Sequence, residues 1–145
     1  MTLNFVLLTK AYDLYDFKYW YEYHTKRFPN SVVWVFDNDS LVDISGLVPR
    51  DRYFRISGFP AQKTLYADIM NGKYGRLFEE WDPVCFIDDD EFIYLRDPNS
   101  DGHDIDLLKV IQKGFEKYDT LCLPHINMSQ KELPADRDTS KGMPS

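Results

Sequence analysis

Apolar residues arrive in short unbroken runs, and these alternate with stretches of helical spacing. The run LNFVLL, residues 3–8, reads as a buried strand. Leu14, Phe17, Trp20, Tyr21, His24 and Phe28 then recur at helical spacing, and Pro29 ends that helix. SVVWVF, residues 31–36, is a second buried strand that stops in the polar DNDS. Strand, helix, strand in that order predicts a βαβ unit with a parallel pair.

The same alternation continues. RYFRIS, residues 52–57, reads as a short strand broken by Gly58 and Pro60. AQKTLYADIMNG, residues 61–72, reads as a helix ended by Asn71 and Gly72, and RLFEEW adds a further helical turn. Residues 84–87 form the next strand, and 92–95 start another. After the turn-rich DPNSDGHD, Asp104 caps a helix to about Tyr118, with Leu107, Leu108, Ile111 and Phe115 on one face. TLCLPHI, residues 120–126, is the last expected strand. The expected organisation is one domain over 1–128 and a polar, mobile tail over 129–145.

Strands alternating with helices predict an α/β sandwich with a mainly parallel sheet. Such sheets bind ligands beyond the carboxyl ends of their strands. That rule selects three places: Thr9, Lys10 and Ala11; Asp37, Asn38 and Asp39; and the acids Asp88, Asp89, Asp90 and Glu91.

Composition narrows the class. With 145 residues, 43% of them hydrophobic, the chain can bury a substantial core. Its formal net charge of −7 argues against a nucleic-acid partner, which asks for basic patches. Cys85 and Cys122 lie inside apolar runs, without the spacing of a zinc site, and read as buried free thiols. The opening MTLNFVLLTK has no basic n-region, and no apolar stretch reaches the roughly 20 residues of a membrane helix. The expectation is a soluble, cytoplasmic protein of a reducing compartment.

The acidic stretch is the strongest chemical signal. Desolvation and mutual repulsion both oppose setting four carboxylates beside the apolar run VCFI. A run of charges is usually a solvated loop, but here apolar residues flank it on both sides. Hard oxygen ligands suit Mg²⁺ or Mn²⁺. Carboxylates at i and i+2, Asp88 and Asp90, can converge where the strand turns, with Asp89 pointing to solvent or a neighbouring cation.

Four segments in order carry a resemblance: LLTKAYDLYDFKYWYEYH, VWVFDNDS, AQKTLYADIM and FIDDDEFIYL. Together they resemble GT-A glycosyltransferases, in the neighbourhood of the family-2 and family-92-like enzymes. The resemblance implies a Rossmann-like, three-layer α/β/α sandwich with a mainly parallel central sheet. It implies a metal-dependent transferase that moves a sugar from a UDP- or GDP-sugar to a glycan or other hydroxyl acceptor, with inversion. Asp88 and Asp90 match the outer positions of the D-x-D metal signature. Asp90 ligates Mn²⁺ or Mg²⁺ directly, Asp88 reaches the ribose or a metal-bound water, and Glu91 orients them. Thr9, Lys10 and Ala11 match the loop that cradles base and ribose. Asp37, Asn38 and Asp39 match the turn that reads the base edge. Gln62, Lys63 and Asp68 match the helix facing the donor, where Lys63 holds a phosphate as a point charge.

Each of these residues also has a plain reading. The 37–40 stretch alone is a turn, Lys63 a surface lysine, and Trp20, Tyr21 and Tyr23 the core and surface of a helix. Only about 50 residues follow Leu95, fewer than these families carry for an acceptor pocket. The expectation is a minimal enzyme, a truncated one or a degenerate donor-binding module, a compactness that would suit a viral or phage genome. Inversion needs a base, for which His125, Glu132, Asp136 and Asp138 are candidates; His125 alternatively serves as a third metal ligand or in a structural role.

Two other classes compete. Asp97, Asn99, Asp101 and Gly102 match the opening of a calcium loop over 97–108, but Asp104 and Leu108 stand where that loop wants an apolar residue and Glu. Acids at strand ends also build metal-dependent phosphoryl hydrolases and nucleases, although the later Thr and Lys motifs of the former are missing.

Overall fold

β1 (Leu3–Thr9) runs between β2 (Ser31–Asn38) and β4 (Val84–Asp88), and β3 (Tyr53–Ile56) lies outside β2. All three pairings are parallel, in the order β3-β2-β1-β4. The computed structural model describes residues 2–58, 61–94 and 107–118. Within them the fold is α/β with a four-stranded, all-parallel sheet and three α-helices, α1 (Leu14–Arg27), α2 (Gln62–Met70) and α3 (Leu107–Phe115).

Alternating side chains of the sheet feed two cores. Leu3, Phe5 and Leu7 of β1 join Val33 and Val35 of β2 and meet Phe17 and Trp20 of α1. Val6 and Phe36 point the other way and meet Leu65 and Ile69 of α2. A central strand covered by a helix on each face must be apolar on both sides, hence its unbroken hydrophobic run. Its one amide, Asn4, is buried but satisfied: Nδ2 donates to the Thr2 carbonyl (3.0 Å), and Oδ1 accepts from Trp34 Nε1 (3.0 Å).

Asp13 caps α1 by accepting from the Asp16 N–H at 2.8 Å. Phe28 leaves the helix because Pro29 disfavours helical backbone in the residue before it. Between the caps, His24 is wholly buried among Phe5, Trp20, Tyr23 and Phe28. α2 ends in a Schellman turn. The Lys73 N–H donates to the Asp68 carbonyl (3.0 Å) and the Gly72 N–H to that of Ile69 (3.1 Å), with Gly72 at φ +81°.

Some expectations are corrected. RLFEEW is not helical: Gly75, at φ +83°, follows the Schellman turn, and Leu77 and Phe78 pack on the second core instead. Residues 92–94 form no strand, because the N–H and carbonyl of Ile93 are taken by side chains of α1. β3 is shorter than expected, with Arg52 in a 3-10 turn (Arg50–Arg52). Cys85 is only half-buried, at the edge of the first core. Ile111 of α3 packs on the first core, while Asp104, the strand over 120–126, Cys122 and the 129–145 tail lie outside the described residues. Among the described residues no helix is long and apolar enough to cross a membrane.

Burial drives the His24 pKa down to about 4, so the folded state holds a neutral ring. An unfolded His titrates near 6.5. Stability attributable to His24 is therefore complete above pH 6.5 and lost as pH falls towards 4, by roughly 3 kcal/mol at full protonation. Melting temperatures from pH 7.5 to 4 are expected to fall through this window, and the His24→Gln variant to show a flatter profile; equal slopes would contradict the assignment.

Candidate functional site

The chain passes from β1 through α1 to β2 and on to β3, then crosses back over the sheet to place β4 on the far side of β1. The order reverses at β1, so the crevice beyond the carboxyl ends of β1 and β4 is the topological switch point. The register pairs Leu8 with Asp88, which sets Thr9 beside the acidic turn. Thr9 Oγ1 donates to Asp89 Oδ2 at 2.6 Å, joining the two strand ends.

The acids form a tight turn. The Glu91 N–H donates to the Asp88 carbonyl (3.1 Å), and the Glu91 carboxylate folds back to accept from the Asp88 N–H (3.0 Å). Gln62, the first residue of α2, donates through Nε2 to Asp88 Oδ1, and its Oε1 accepts from Tyr66 OH at 3.0 Å. Asp90 is exposed at the turn corner. Asp89, expected to face solvent or a cation, is instead half-buried against Thr9. Among the described residues no group of three His, Cys, Asp or Glu converges as a metal cage.

Every donor just named to these carboxylates is neutral. Burial raises the Asp88 pKa, and the charges of Glu91, Asp90 and Asp89 raise it further. Burial also raises that of Asp89; the Thr9 hydrogen bond pulls it back, and Asp90 again pushes it up. Behind the turn, burial and then the Asp88 charge push Tyr66 up to about 12, so its phenol stays a donor. Cys85 is pushed up to about 11 by burial and the Glu91 charge, which leaves an unreactive thiol. The turn is a concentration of negative charge that favours a proton or a cation.

The other strand ends supply structure as well as surface. Both oxygens of buried Asp37 are engaged, one by the Ser40 N–H (3.0 Å) and one by Tyr53 OH. Ser40 Oγ accepts from the Ala11 N–H (2.8 Å), and the Ala11 carbonyl accepts from the Leu41 N–H (2.8 Å). The first two loops are thus stitched together through the backbone of Ala11, which was expected to cradle a nucleoside. Lys10, Asp39 and Lys63 are exposed, with Asp39 in the left-handed region at φ 53°, and Asn38 is half-buried where β2 ends. Asp68 is not brought to the site. It lies six residues beyond Gln62, about 9 Å further along α2, and pairs with Lys73 Nζ at 3.4 Å. His125 and residues 97–106 of the calcium-loop candidate lie outside the described residues, and residues 107 and 108 open α3.

Ser40, Tyr53 and Tyr66 are contributors that sequence reasoning missed. Ser40 carried a signal in the Asp37-to-Ser40 turn spacing, and Tyr66 lies within AQKTLYADIM, a segment that carries the resemblance; Tyr53 carried none that separates it from the other tyrosines.

Asp88→Asn keeps an oxygen to accept from Gln62 and removes a carboxylate whose pKa the fold raises. A raised folded pKa means the ionised group weakens the fold above that pKa and is harmless below the unfolded value. Asp88→Asn is therefore expected to melt higher than wild type at pH 7.5, with a gain that shrinks on acidification towards pH 4. A lower melting temperature at pH 7.5 would show that the carboxylate is structurally required.

No family model, curated protein or solved structure matches this chain, so its chemistry is argued from the switch-point residues themselves.

Proposed function

We propose that the protein is a metal-dependent transferase that moves a sugar from a UDP- or GDP-sugar to a glycan or other hydroxyl acceptor, built on a GT-A-like, three-layer α/β/α sandwich. The observation that carries this reading is the acidic turn at the switch point, where burial and mutual repulsion leave Asp88 and Asp89 short of compensating positive charge. A diphosphate with its divalent ion fits that need. Mg²⁺ and Mn²⁺ are held in such sites by one or two carboxylates, with phosphates and waters completing the shell.

Asp90, exposed at the corner, and Asp88 are the residues that would hold Mn²⁺ or Mg²⁺. Bound there, the ion supplies Lewis-acid charge to the departing diphosphate, worth on the order of several kcal/mol. Glu91 orients Asp88 through its backbone N–H. Gln62 fixes the Asp88 carboxylate, and Lys63, exposed beside it, offers a point charge to a phosphate. Asp37 is spent on Tyr53 and Ser40, and the exposed Asp39 of the same turn is the residue that would read the base edge. Inversion follows from the family resemblance alone, and His125, Glu132, Asp136 and Asp138 are the candidates for the base that takes the acceptor proton.

The test is calorimetric titration of UDP, GDP, CDP and ADP, each with and without Mn²⁺, into wild type and Asp90→Ala. One nucleotide is expected to bind tightly only with Mn²⁺, and Asp90→Ala to lose that binding while melting like wild type. Metal-independent binding, or binding indifferent to Asp90, would overturn the assignment. Ca²⁺ binding alone, abolished by Asp101→Ala, would move the function to the 97–108 loop.

A further inference from the structure

We propose that Trp20, Tyr23 and His24 are positioning residues for the acidic turn, three side chains of one helix that fix the backbone leaving it. The inference rests on the reading of that turn as a cation site. Trp20 Nε1 donates to the Glu91 carbonyl at 2.7 Å. Tyr23 OH donates to the Ile93 carbonyl at 2.8 Å. The Ile93 N–H donates to His24 Nε2 at 3.4 Å, and His24 Nδ1 lies 3.0 Å from the Trp20 carbonyl, so the ring donates through Nδ1 and accepts through Nε2.

These residues stand at i, i+3 and i+4, one face of α1. Their targets lie about 70 residues further along the chain. Among the described residues the segment 91–94 has no strand partner, and its Glu91 carbonyl and the N–H and carbonyl of Ile93 bond to side chains of α1. Packing alone would need no polar ends, since Phe92 already sits against Tyr23 (ring centroids 5.1 Å apart) and His24 (5.8 Å), and Ile93 is buried in the first core. The three polar ends add a defined position for main-chain atoms. That position reaches the acids directly: Glu91, held through its carbonyl by Trp20, turns its carboxylate onto the Asp88 N–H at 3.0 Å. A route of two hydrogen bonds thus runs from Trp20 on the α1 face through Glu91 to Asp88, while Tyr23 and His24 fix Ile93 behind it, as partners behind metal ligands orient them elsewhere.

The test uses the full chain and Mn²⁺ alone as probe, read by paramagnetic broadening of backbone amide signals and by amide hydrogen exchange. Trp20→Phe and Tyr23→Phe keep an aromatic ring and lose the donor. Thr25→Val is the control: it removes an α1 hydroxyl that bonds within the helix, to the Tyr21 carbonyl at 2.8 Å. In wild type, Mn²⁺ is expected to broaden the amides of 88–91. In both aromatic variants the amides of 91–93 are expected to exchange faster, and Mn²⁺ half-saturation to rise about tenfold, while exchange in β1 and the Thr25→Val protein stay at wild-type values. Should Trp20→Phe unfold, Tyr23→Phe carries the test. Unchanged exchange at 91–93, or faster exchange with unchanged half-saturation, would overturn the positioning role alone. Failure of Mn²⁺ to broaden 88–91 in wild type would overturn the cation reading, and the positioning role with it.

Discussion

β1 is wet on neither face, and the rest of the fold follows from that. Phe5 and Leu7 lie under α1, Val6 lies under α2, and β2 and β4 take up the backbone on either side. A strand so enclosed can present polar atoms only at its ends. The amino end is closed by Asn4 and the Pro83 carbonyl, whose bond to the Asn4 N–H is 2.9 Å. The carboxyl end delivers Thr9 to the acidic turn. Hydrophobic coverage therefore decides where chemistry can occur before any functional side chain is considered.

Around that end the protein handles negative charge in two ways. Asp37 is buried and fully engaged by a hydroxyl and an amide, which makes it a structural acid. Asp88 and Asp89 receive neutral hydrogen bonds amid other carboxylates, and both are held above the usual carboxylate range. The contrast lies in the neighbouring acids, since both kinds of site sit at strand ends of one sheet. Neutral donors steer a carboxylate without discharging it, so steering and charge remain separate properties of this turn.

Much of the frame was legible in the sequence. Continuous apolar runs gave β1, β2 and β4 to within a residue or two, helical spacing gave α1, and Pro29 marked its end, while the Asp13 cap emerged only with the structure. Asn71 and Gly72 marked the end of α2 by conformational preference alone. The residues over 41–52 were not legible. Ile44 and Val48 are buried there, but they follow no period because long-range packing holds them. The segment over 92–95 looked like a strand because its residues favour one, and hydrogen bonds from a helix some 70 residues away override that preference. The site divides likewise. The strand-end rule located the acids, whereas a partner such as Tyr53 depends on tertiary geometry that spacing does not encode.

The bond from Thr9 to Asp89 closes the crevice between the two strands it joins. In the free protein it acts as a latch across the point where the strand order reverses. A guest that needs the Thr9 proton or the Asp89 lone pair it occupies must first open it, so the closed and open forms become two populations with unequal claims on such a guest. The measured affinity is the intrinsic one reduced by the fraction already open. Selectivity at this crevice is then partly a property of the host at rest, set by one hydroxyl before any guest arrives.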